Sequence, residues 1–472
     1  MVASAGCFSH MKAWLWLCVR FGVRLCAVLL TGAVAAGMAP SGRGAEGRGL
    51  RPLNLEPEDR FLWTCYMICF PINRDFSEEF YDRPLARPRQ GEDPRLTDLE
   101  QIVRSGADGV SVDLFIEDRH ALPAFRRLAD LVEENGLPLG VSPMFDGFQR
   151  PDVTEDRIVE KVTAWFEESA DRECVVRYRG RPVIFTFAPW HRPAEEWQRV
   201  FERLEAAGHR GYWVLEAGKF LAVGQAPDVA GIRPWLDVFD SAYTFSPGGE
   251  PGRALMNART YENLFSGADK RWVGSLRYGY WRPEIAVYQS PQGTQRYRKS
   301  WRVAAQADVP WLHQATWNDF GENHHIMPSE NHGEAFLDVT RWLAADWKGE
   351  APGDDAPVLY LARMAEVQVG DVVRMEALAW LPPGTPPCSV TLRVRDGTGA
   401  EVYSGNRTLT GRDAVRAVSF EFPLDVMPGG RLLRPEVVLL PGGGASAMRV
   451  SGEATVVSPA GFYPERNFSW LY

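Results

Sequence analysis

Short apolar runs alternate with amphipathic segments between residues 61 and 347 of the chain. Each run has the length of a β-strand, and a helical pattern follows it, which is typical of repeated βα units in a parallel sheet. The runs cover residues 61–70, 109–115, 138–144, 182–187, 211–215, 236–243, 271–276 and 309–317. Because eight such units can close on themselves, we predict an α/β fold of the (β/α)8 TIM barrel type. An open parallel sheet is the alternative.

Helix boundary signals lie in several of the intervening segments. Thr97-Asp98-Leu99-Glu100 has the form of a capping box, which predicts a helix start at this point. Pro123 suits the first turn of the next helix, and Gly136 suits its end.

The pattern changes after residue 355. Helical periodicity gives way to short alternating stretches, such as residues 390–394 and 417–422, separated by Gly/Pro clusters. This pattern predicts a small all-β sandwich. We therefore divide the chain into a leader and spacer at residues 1–45, a barrel at 46–350 and a β-sandwich at 356–472.

The N-terminus has the features of an export signal. Lys12, Arg20 and Arg24 precede an apolar run over residues 25–36, and small residues follow. That run is too short for a membrane span, which needs about 20 residues, but it suits a signal peptide. We expect a secreted or periplasmic protein without a membrane association once the signal is cleaved; an uncleaved membrane anchor is the alternative.

Charge and cysteine content narrow the possible partners. Loss of residues 1–45, which hold four basic residues and no acidic one, changes the formal net charge from −9 to −13. An acidic chain of this kind argues against nucleic acid or an anionic membrane as a partner. Cys65 and Cys69 lie in an apolar run, and we expect them to be buried thiols.

Acidic residues recur where the predicted strands end. In a barrel the active site lies at the carboxyl ends of the strands, so these side chains would share one pocket. They are Asp113, Asp146, Glu216, Asp240, Asp319 and Glu322. Such a pocket suits a sugar ring, because cleavage of a glycosidic bond needs one protonated carboxyl and one ionised carboxylate.

The densest group of polar residues follows the eighth run. Asp319 and Glu322 are three residues apart, and Gly321 could supply the positive φ of a sharp turn between them. Two close carboxylates raise the pKa of one of them, which provides an acid and a base. We expect Asn318 to bind a sugar hydroxyl and Trp317 to form a wall of the subsite. A helix-capping Asp beside a surface Glu is the alternative.

Aromatic residues and histidines near this segment allow further roles. Tyr278 and Trp281 could stack on sugar faces, or pack beneath a loop. His324 and His325, with the two carboxylates, are metal-ligand types. Adjacent histidines in a loop usually point apart, so we predict neither a metal nor another cofactor.

Residues 317–326 carry a resemblance to a known family. Trp317-Asn318-Asp319-Phe320-Gly321-Glu322-Asn323-His324-His325-Ile326 resembles the Trp-Asn-Asp-Tyr-Gly-Glu-Ser-His-Tyr-Ile signature of glycoside hydrolase family 71, the α-1,3-glucanases. It is more distantly similar to the Trp-Asn-Glu-Trp-His-Glu motif of the family 99 endo-α-mannosidases. Tyr66-Met67 resembles the first-strand His-Tyr-Met of family 71, and the likeness covers about residues 58–347.

The resemblance implies a barrel that hydrolyses an α-glucan internally, with Glu322 as general acid and Asp319 as the base acting on water. It also implies that Asp146 binds substrate, and we expect Asp113, Glu216 and Tyr66 to line the same pocket. The alternatives are an endo-α-mannosidase-like enzyme and a catalytically silent barrel that binds glycans. In each case we expect a monomer with a polysaccharide or oligosaccharide partner.

Departures from the family pattern leave the sugar and its linkage open. Cys65 stands where the family has His, and His325 stands where it has Tyr. The sixth-strand Trp-Asp of the family is missing near residues 243–246.

Overall fold

The computed structural model describes residues 53–70, 82–220, 228–245, 259–260, 263–265, 270–282, 287–350, 356–411, 414–441, 446–459 and 469–471. The predicted leader and spacer at 1–45 lie outside these ranges. No helix within them combines the length and the hydrophobicity that crossing a membrane requires.

Eight parallel strands close into a barrel, as the alternation of apolar runs predicts. Each strand pairs with the next, and β8 returns to β1 through pairs from Trp311 with Phe61 to Gln314 with Thr64. The strands are β1 (Phe61–Met67), β2 (Gly109–Phe115), β3 (Gly140–Asp146), β4 (Arg181–Thr186), β5 (Tyr212–Glu216), β6 (Ser241–Tyr243), β7 (Arg271–Leu276) and β8 (Trp311–Gln314). The predicted (β/α)8 barrel is therefore confirmed, and the open sheet is wrong.

Amphipathic helices cover the outside of the barrel. They are α1 (Pro94–Arg104), α2 (Ala121–Glu134), α3 (Glu155–Ser169), α4 (Ala194–Ala206), α5 (Val229–Leu236), α6 (Gln295–Gln306) and α7 (Ala335–Lys348). The predicted capping box is wrong, because α1 begins a turn earlier, where the Asp93 side chain accepts a hydrogen bond from the Arg95 backbone nitrogen. Gly136 follows the end of α2 with a φ of +57°, as its position predicts.

Successive side chains along each strand point alternately into the barrel and toward the surrounding helices. In β1, Trp63 and Cys65 point into the barrel, whereas Leu62 and Tyr66 pack against the helices. Aromatic rings fill the interior, where Trp63 and Trp311 lie 5.5 Å apart in an edge-to-face contact. The barrel interior is therefore a packed core, and in folds of this kind the active site lies at the carboxyl ends of the strands.

The part of the chain beyond the barrel is all-β, as predicted. One sheet has the order β14-β11-β9-β18, and the other has the order β10-β17-β15-β12-β13 with β16 pairing to β15. The strands are β9 (Val358–Met364), β10 (Glu366–Gln368), β11 (Val372–Trp380), β12 (Cys388–Asp396), β13 (Glu401–Leu409), β14 (Val415–Pro423), β15 (Leu432–Leu440), β16 (Met448–Ser451), β17 (Thr455–Ser458) and β18 (Ser469–Leu471). Both sheets contribute apolar side chains to a separate buried cluster.

The sheet that contains β11 also packs on the barrel helices. Trp380 stacks on Trp342 of α7 with ring centroids 5.8 Å apart. The buried carboxylate of Glu376 accepts hydrogen bonds from the Thr294 backbone nitrogen at 2.9 Å and from Arg298 at 2.8 Å. This contact therefore involves the outer helical layer, at the N-terminus of α6 and on α7.

Candidate active site

The loop after β8 crosses over the end of β1. The Trp317 backbone nitrogen donates to the Cys65 carbonyl at 2.7 Å, and the Asp319 nitrogen donates to the Thr316 hydroxyl at 3.0 Å. The first bond attaches the loop to β1 just ahead of its first carboxylate, and the second closes a turn within the loop. This attachment fixes the backbone from which Asp319 and Glu322 project.

Asn318 and Trp317 support this loop and do not bind substrate in the predicted way. The Asn318 carboxamide accepts a hydrogen bond from the Met67 nitrogen at 2.8 Å and donates to the Met67 and Phe70 carbonyls at 3.1 and 2.7 Å. Its oxygen and both of its N–H groups are therefore engaged with the backbone beyond β1. The Trp317 ring is fully buried in the layer between barrel and helices, and it forms no wall of a pocket.

Gly321 serves the turn through its size and not through a positive φ. The residue with positive φ in this loop is Asn323, at 46°, whereas Gly321 has none. A Cβ atom at Gly321 would lie 3.0 Å from a ring carbon of Phe70 and 3.4 Å from the Asp319 Oδ1 atom. Glycine is needed here because the backbone passes close to both groups.

Asp319 and Glu322 differ in burial and in their partners. Asp319 is 5% exposed, and its Oδ1 atom accepts a hydrogen bond from the Glu322 backbone nitrogen at 2.9 Å. Burial first, and then the Glu322 charge, raise the pKa of Asp319 to about 8. The Glu322 side chain is 28% exposed and accepts from the Arg282 guanidinium at 2.9 Å. One carboxyl of the pair therefore retains a proton near neutral pH, while the other is paired with a cation.

Two further carboxylates, Asp113 and Asp146, interact electrostatically with this pair. Both occupy inward-facing positions near the ends of β2 and β3, and both are buried. Burial raises the pKa of Asp146 to about 7, opposed by a hydrogen bond from the Gly147 nitrogen. Burial, followed by the charges of Asp146 and Asp319, raises the pKa of Asp113 well above its ordinary value. The structure thus brings four predicted residues into one cluster.

Glu216 lies at the end of β5, as predicted, and three hydrogen-bond donors fix the position of its carboxylate. Its carboxylate accepts from the Trp190 indole at 2.8 Å, the Gly218 nitrogen at 2.7 Å and the Phe245 nitrogen at 3.3 Å. Burial raises its pKa against these three hydrogen bonds. Glu216 is also close enough to Tyr243 for its charge to raise the pKa of that phenol, which the charges of Asp113 and Asp146 raise as well.

Asp240 is not part of the pocket, in contrast to the prediction. It precedes β6, and its carboxylate bonds to Arg181 at 2.8 Å and to the Trp213 nitrogen at 2.9 Å. These partners lie at the amino ends of β4 and β5. The apolar run at residues 236–243 includes the end of α5, so the strand starts later than the run suggests.

Tyr66 and Tyr278 direct their hydroxyls to partners outside the carboxylate cluster, whereas Trp281, whose stacking role stays a prediction, is buried beside the β8 loop. The Tyr66 hydroxyl donates to Asp98 of α1 at 2.7 Å, on the outside of the barrel. Tyr278 is buried, and its hydroxyl donates to the Asn323 carbonyl at 3.0 Å. Trp281 is buried, and its backbone nitrogen donates to the Glu322 carbonyl at 3.1 Å. Tyr278 and Trp281 therefore support the β8 loop by donating hydrogen bonds to its backbone carbonyls.

Arg282, Tyr280 and Arg277 surround Glu322, and the sequence analysis predicts neither of the two arginines at this site. Burial and then the Glu322 carboxylate raise the pKa of Tyr280. Arg277 is buried with its guanidinium 4.8 Å from the centre of the Tyr280 ring, and burial lowers its pKa to about 10. Two arginines flank three aromatic residues over 277–282, directly after β7, and this composition is the signal that could have indicated them.

His324 and His325 face different surroundings. His324 lies near the rings of Tyr280 and Tyr278, at 5.9 and 6.3 Å. His325 instead bonds to Asp82 at 2.8 Å. The adjacent histidines thus point apart, and they do not form one group with Asp319 and Glu322.

Cys65 is buried beneath the acidic cluster, as expected of it, whereas Cys69 is exposed and not buried.

The buried carboxyls predict a decline in stability with rising pH. The folded-state pKa values are about 8 for Asp319 and about 7 for Asp146, whereas the unfolded value is about 3.9. At a pH between the unfolded and the folded values, the folded chain therefore binds more protons than the unfolded chain does. The free energy of unfolding should therefore fall as pH rises from about 4 to about 8. Asp319→Asn should reduce this slope and raise the melting temperature more at pH 8 than at pH 5. Thermal unfolding at the two pH values checks this.

Asp171→Asn, at a fully exposed carboxylate, is the control for that comparison and should leave the slope unchanged. An identical pH dependence in the wild type and in Asp319→Asn would mean that Asp319 is ionised throughout the range.

Comparisons with known proteins extend the fold assignment. No family profile matches the chain, and neither does any curated protein. The structure is similar to that of a family 99 endo-α-mannosidase from Bacteroides thetaiotaomicron, with a TM-score of 0.50 and 14% sequence identity over 62% of this chain and 98% of that one. A second structure of such an enzyme from this organism has a TM-score of 0.49 and 13% identity over the same shares. At these identities the likeness defines the class of fold, a TIM barrel.

Proposed function

We propose that the chain is a glycoside hydrolase that cleaves an α-linked polysaccharide internally, with Asp319 and Glu322 as its catalytic pair. The observation that carries the proposal is the contrast between two carboxylates of one loop: Asp319 is buried with a pKa raised to about 8, and Glu322 is partly exposed beside Arg282. Hydrolysis of a glycosidic bond needs this combination of a protonated and an ionised carboxyl. The family 71 signature at residues 317–326 and the fold of an endo-α-mannosidase support the same class of reaction.

The acidic cluster also suits the charge that develops during the reaction. The transition state resembles an oxocarbenium ion, which carries positive charge on the sugar ring. Asp113 and Asp146 add carboxyl groups beside the pair, and Glu216 adds one at the end of β5; these groups can accept hydrogen bonds from sugar hydroxyls. Burial raises the pKa values of these three groups, that of Asp146 to about 7, so the site can hold a proton for the leaving oxygen without losing all of its negative charge.

We assign Glu322 as the general acid and Asp319 as the base that activates water, in the order that the family resemblance implies. Glu322 is the more exposed of the two and can reach a glycosidic oxygen that enters from solvent. In the free chain the proton is favoured on Asp319, and Glu322 is paired with Arg282. Arg282 must therefore release Glu322, and the proton must pass to it, before the leaving group can depart.

Arg282→Gln should move the pH dependence of the reaction upward. Removal of the guanidinium deletes a positive charge that lowers the pKa of Asp319 and that pairs with the Glu322 carboxylate, so the pair should hold its shared proton to higher pH. The alkaline limb of kcat/KM against pH, which reports loss of the acid's proton, should therefore shift to higher pH. A pH–rate profile of wild type and variant on the same substrate measures this shift. Arg181→Gln, in which the lost ion pair lies at the opposite end of the barrel, should leave the profile in place.

An α-1,3-glucan is the substrate that the signature favours, and the enzyme would act on it as a secreted or periplasmic monomer. An endo-α-mannosidase-like activity is the second candidate, favoured by the structural similarity to such an enzyme. Cys65, which departs from the family pattern, lies beside the acidic cluster. His325, the other departure, lies behind the β8 loop. Both can alter which sugar the site binds.

Reducing-sugar release from α-1,3-, α-1,4- and α-1,6-glucans and from α-mannan tests the proposal. We expect the α-1,3-glucan to give oligosaccharides of mixed length, as internal cleavage requires. Release from α-mannan alone would support the second candidate. Binding to any of these glycans without release would instead support a catalytically silent barrel and contradict the proposal.

A further inference from the structure

A second cluster of polar side chains lies behind the β8 loop. It consists of Asp82, His325 and His332, all of them buried. Each residue offers one nitrogen or oxygen atom, and these three atoms lie within 4.8 Å of one another. The cluster is separate from the carboxylates of the proposed active site, and none of the roles assigned above uses it.

Backbone donors orient the Asp82 carboxylate within this cluster. Its Oδ1 atom accepts from the Arg83 and Asn331 backbone nitrogens at 2.8 and 3.0 Å. Its Oδ2 atom is thereby directed toward His325, whose Nε2 atom lies 2.8 Å away. Such hydrogen bonds to the second oxygen are the usual way in which a protein positions a carboxylate that binds a metal.

The two histidines have unused nitrogen atoms in this buried space. Neither ring nitrogen of His332 has a hydrogen-bond partner among the residues that the structure describes, and the same holds for Nδ1 of His325. The rings are enclosed by aromatic side chains: His332 by Tyr278 and Phe336, at 5.3 and 5.0 Å, and His325 by Phe320 at 3.8 Å. A buried imidazole without a partner is unfavourable, and a bound cation would give one nitrogen of His332 the partner that it lacks.

We propose that Asp82, His325 and His332 bind a divalent transition metal, with zinc as the best match. Two imidazoles and one carboxylate form a ligand set that zinc accepts, with bonds of about 2.0–2.2 Å and with one position left for a fourth ligand. Tetrahedral ligands at such bond lengths are separated by about 3.3 Å, close to the 2.8 Å between the Asp82 oxygen and the His325 nitrogen. His325 is also a departure from the family 71 signature, which has Tyr there, so the site is a feature of this chain.

The metal would join two loops that are distant in sequence. Asp82 precedes α1, whereas His325 and His332 lie between β8 and α7. The Phe320 ring, between Asp319 and Gly321 in sequence, stacks on His325 with an interplanar angle of 21°. A metal at this position would therefore hold the loop that carries both proposed catalytic carboxylates, and its role would be structural.

Zinc titration of the full-length mature chain, freed of metal with EDTA and produced without a histidine tag, tests the site. We expect one zinc ion per chain, by metal analysis after gel filtration, and a melting temperature that rises by a few degrees on zinc addition. His332→Gln and His325→Tyr should each lose the bound zinc and the shift. Circular dichroism shows whether these variants fold. If they do not fold, the zinc titration of the wild-type chain decides whether the site exists.

Two control variants separate this site from its neighbours. His324→Gln removes an adjacent buried histidine outside the cluster, and Asp319→Asn removes an active-site carboxylate; both should retain one zinc ion. A wild-type chain that binds no zinc in a one-to-one ratio would overturn the proposal, as would retention of the metal by folded His332→Gln. Loss of the metal in Asp319→Asn alone would place it among the catalytic carboxylates, which also overturns it.

Discussion

Replacement of Asp319 by Asn is expected to lower kcat/KM on the responding glycan by about 10² to 10⁴-fold, the range that general acid–base groups contribute. Asn can still accept the hydrogen bond that the Glu322 nitrogen donates to Asp319, so the loop should keep its conformation. The amide cannot take a proton from water, and the base is therefore lost without a loss of fold. Initial rates over a range of substrate concentrations, with circular dichroism of the same samples, measure this effect.

Asp240→Asn is the matched control for that measurement. Asp240 is a carboxylate of the same barrel, but its partners Arg181 and Trp213 place it at the opposite end. This variant should be less stable than wild type and should keep kcat/KM within a few-fold. Equal losses in Asp319→Asn and Asp240→Asn would mean that the assay reports stability and not chemistry.

Trp317→Ala should destabilise the fold by about 3–5 kcal/mol, the usual effect of removing a large aromatic side chain from a core. The Trp317 ring is fully buried between the barrel and its helices, so its removal leaves a cavity beneath the β8 loop. Urea unfolding of the purified variant measures the change in the free energy of unfolding.

Trp190→Ala provides the contrast, since Trp190 is only partly buried and donates its indole hydrogen to Glu216 at 2.8 Å. It should lower stability less than Trp317→Ala does, and it should raise KM by disturbing a pocket carboxylate. If Trp317→Ala left stability intact and raised KM instead, Trp317 would be a subsite wall after all.

The barrel could be predicted because its strands are buried on both faces. Such strands appear in the sequence as continuous apolar runs, and their alternation with amphipathic helices indicates the βα repeat. The runs do not show where a strand begins. For this reason the sequence pattern predicts Asp240 in the pocket, whereas the structure has it ahead of β6.

The candidate site was predictable only in part, because a motif does not show in which direction its side chains point. Asp319 and Glu322 lie together, but the neighbouring Trp317 and Asn318 are committed to the core and to the backbone beyond β1. Residue types alone could not distinguish these roles, since indole and carboxamide groups also bind sugars.

Partners distant in sequence were beyond prediction. Arg282 and Glu322 are 40 positions apart, and Asp82 and His325 are 243 apart. Closure of the barrel brings β8 beside β1, and backbone hydrogen bonds from Leu85 to Pro328 and from Glu330 to Arg83 hold the segment around Asp82 against the β8 loop. Without the three-dimensional pairing, nothing in the sequence links Arg282 to Glu322 or Asp82 to His325.

The most direct test of the proposed pair compares Glu322→Gln on two substrates: the responding glycan and a short α-glycoside of the same sugar with a good leaving group, such as fluoride. A leaving group that departs without a proton does not need the general acid. We therefore predict a loss of about 10²-fold or more on the glycan and a rate near that of wild type on the fluoride. Asp319→Asn should be inactive on both. Equal losses of Glu322→Gln on the two substrates would contradict its role as the acid, and full activity of both variants on the glycan would place the chemistry elsewhere in the barrel.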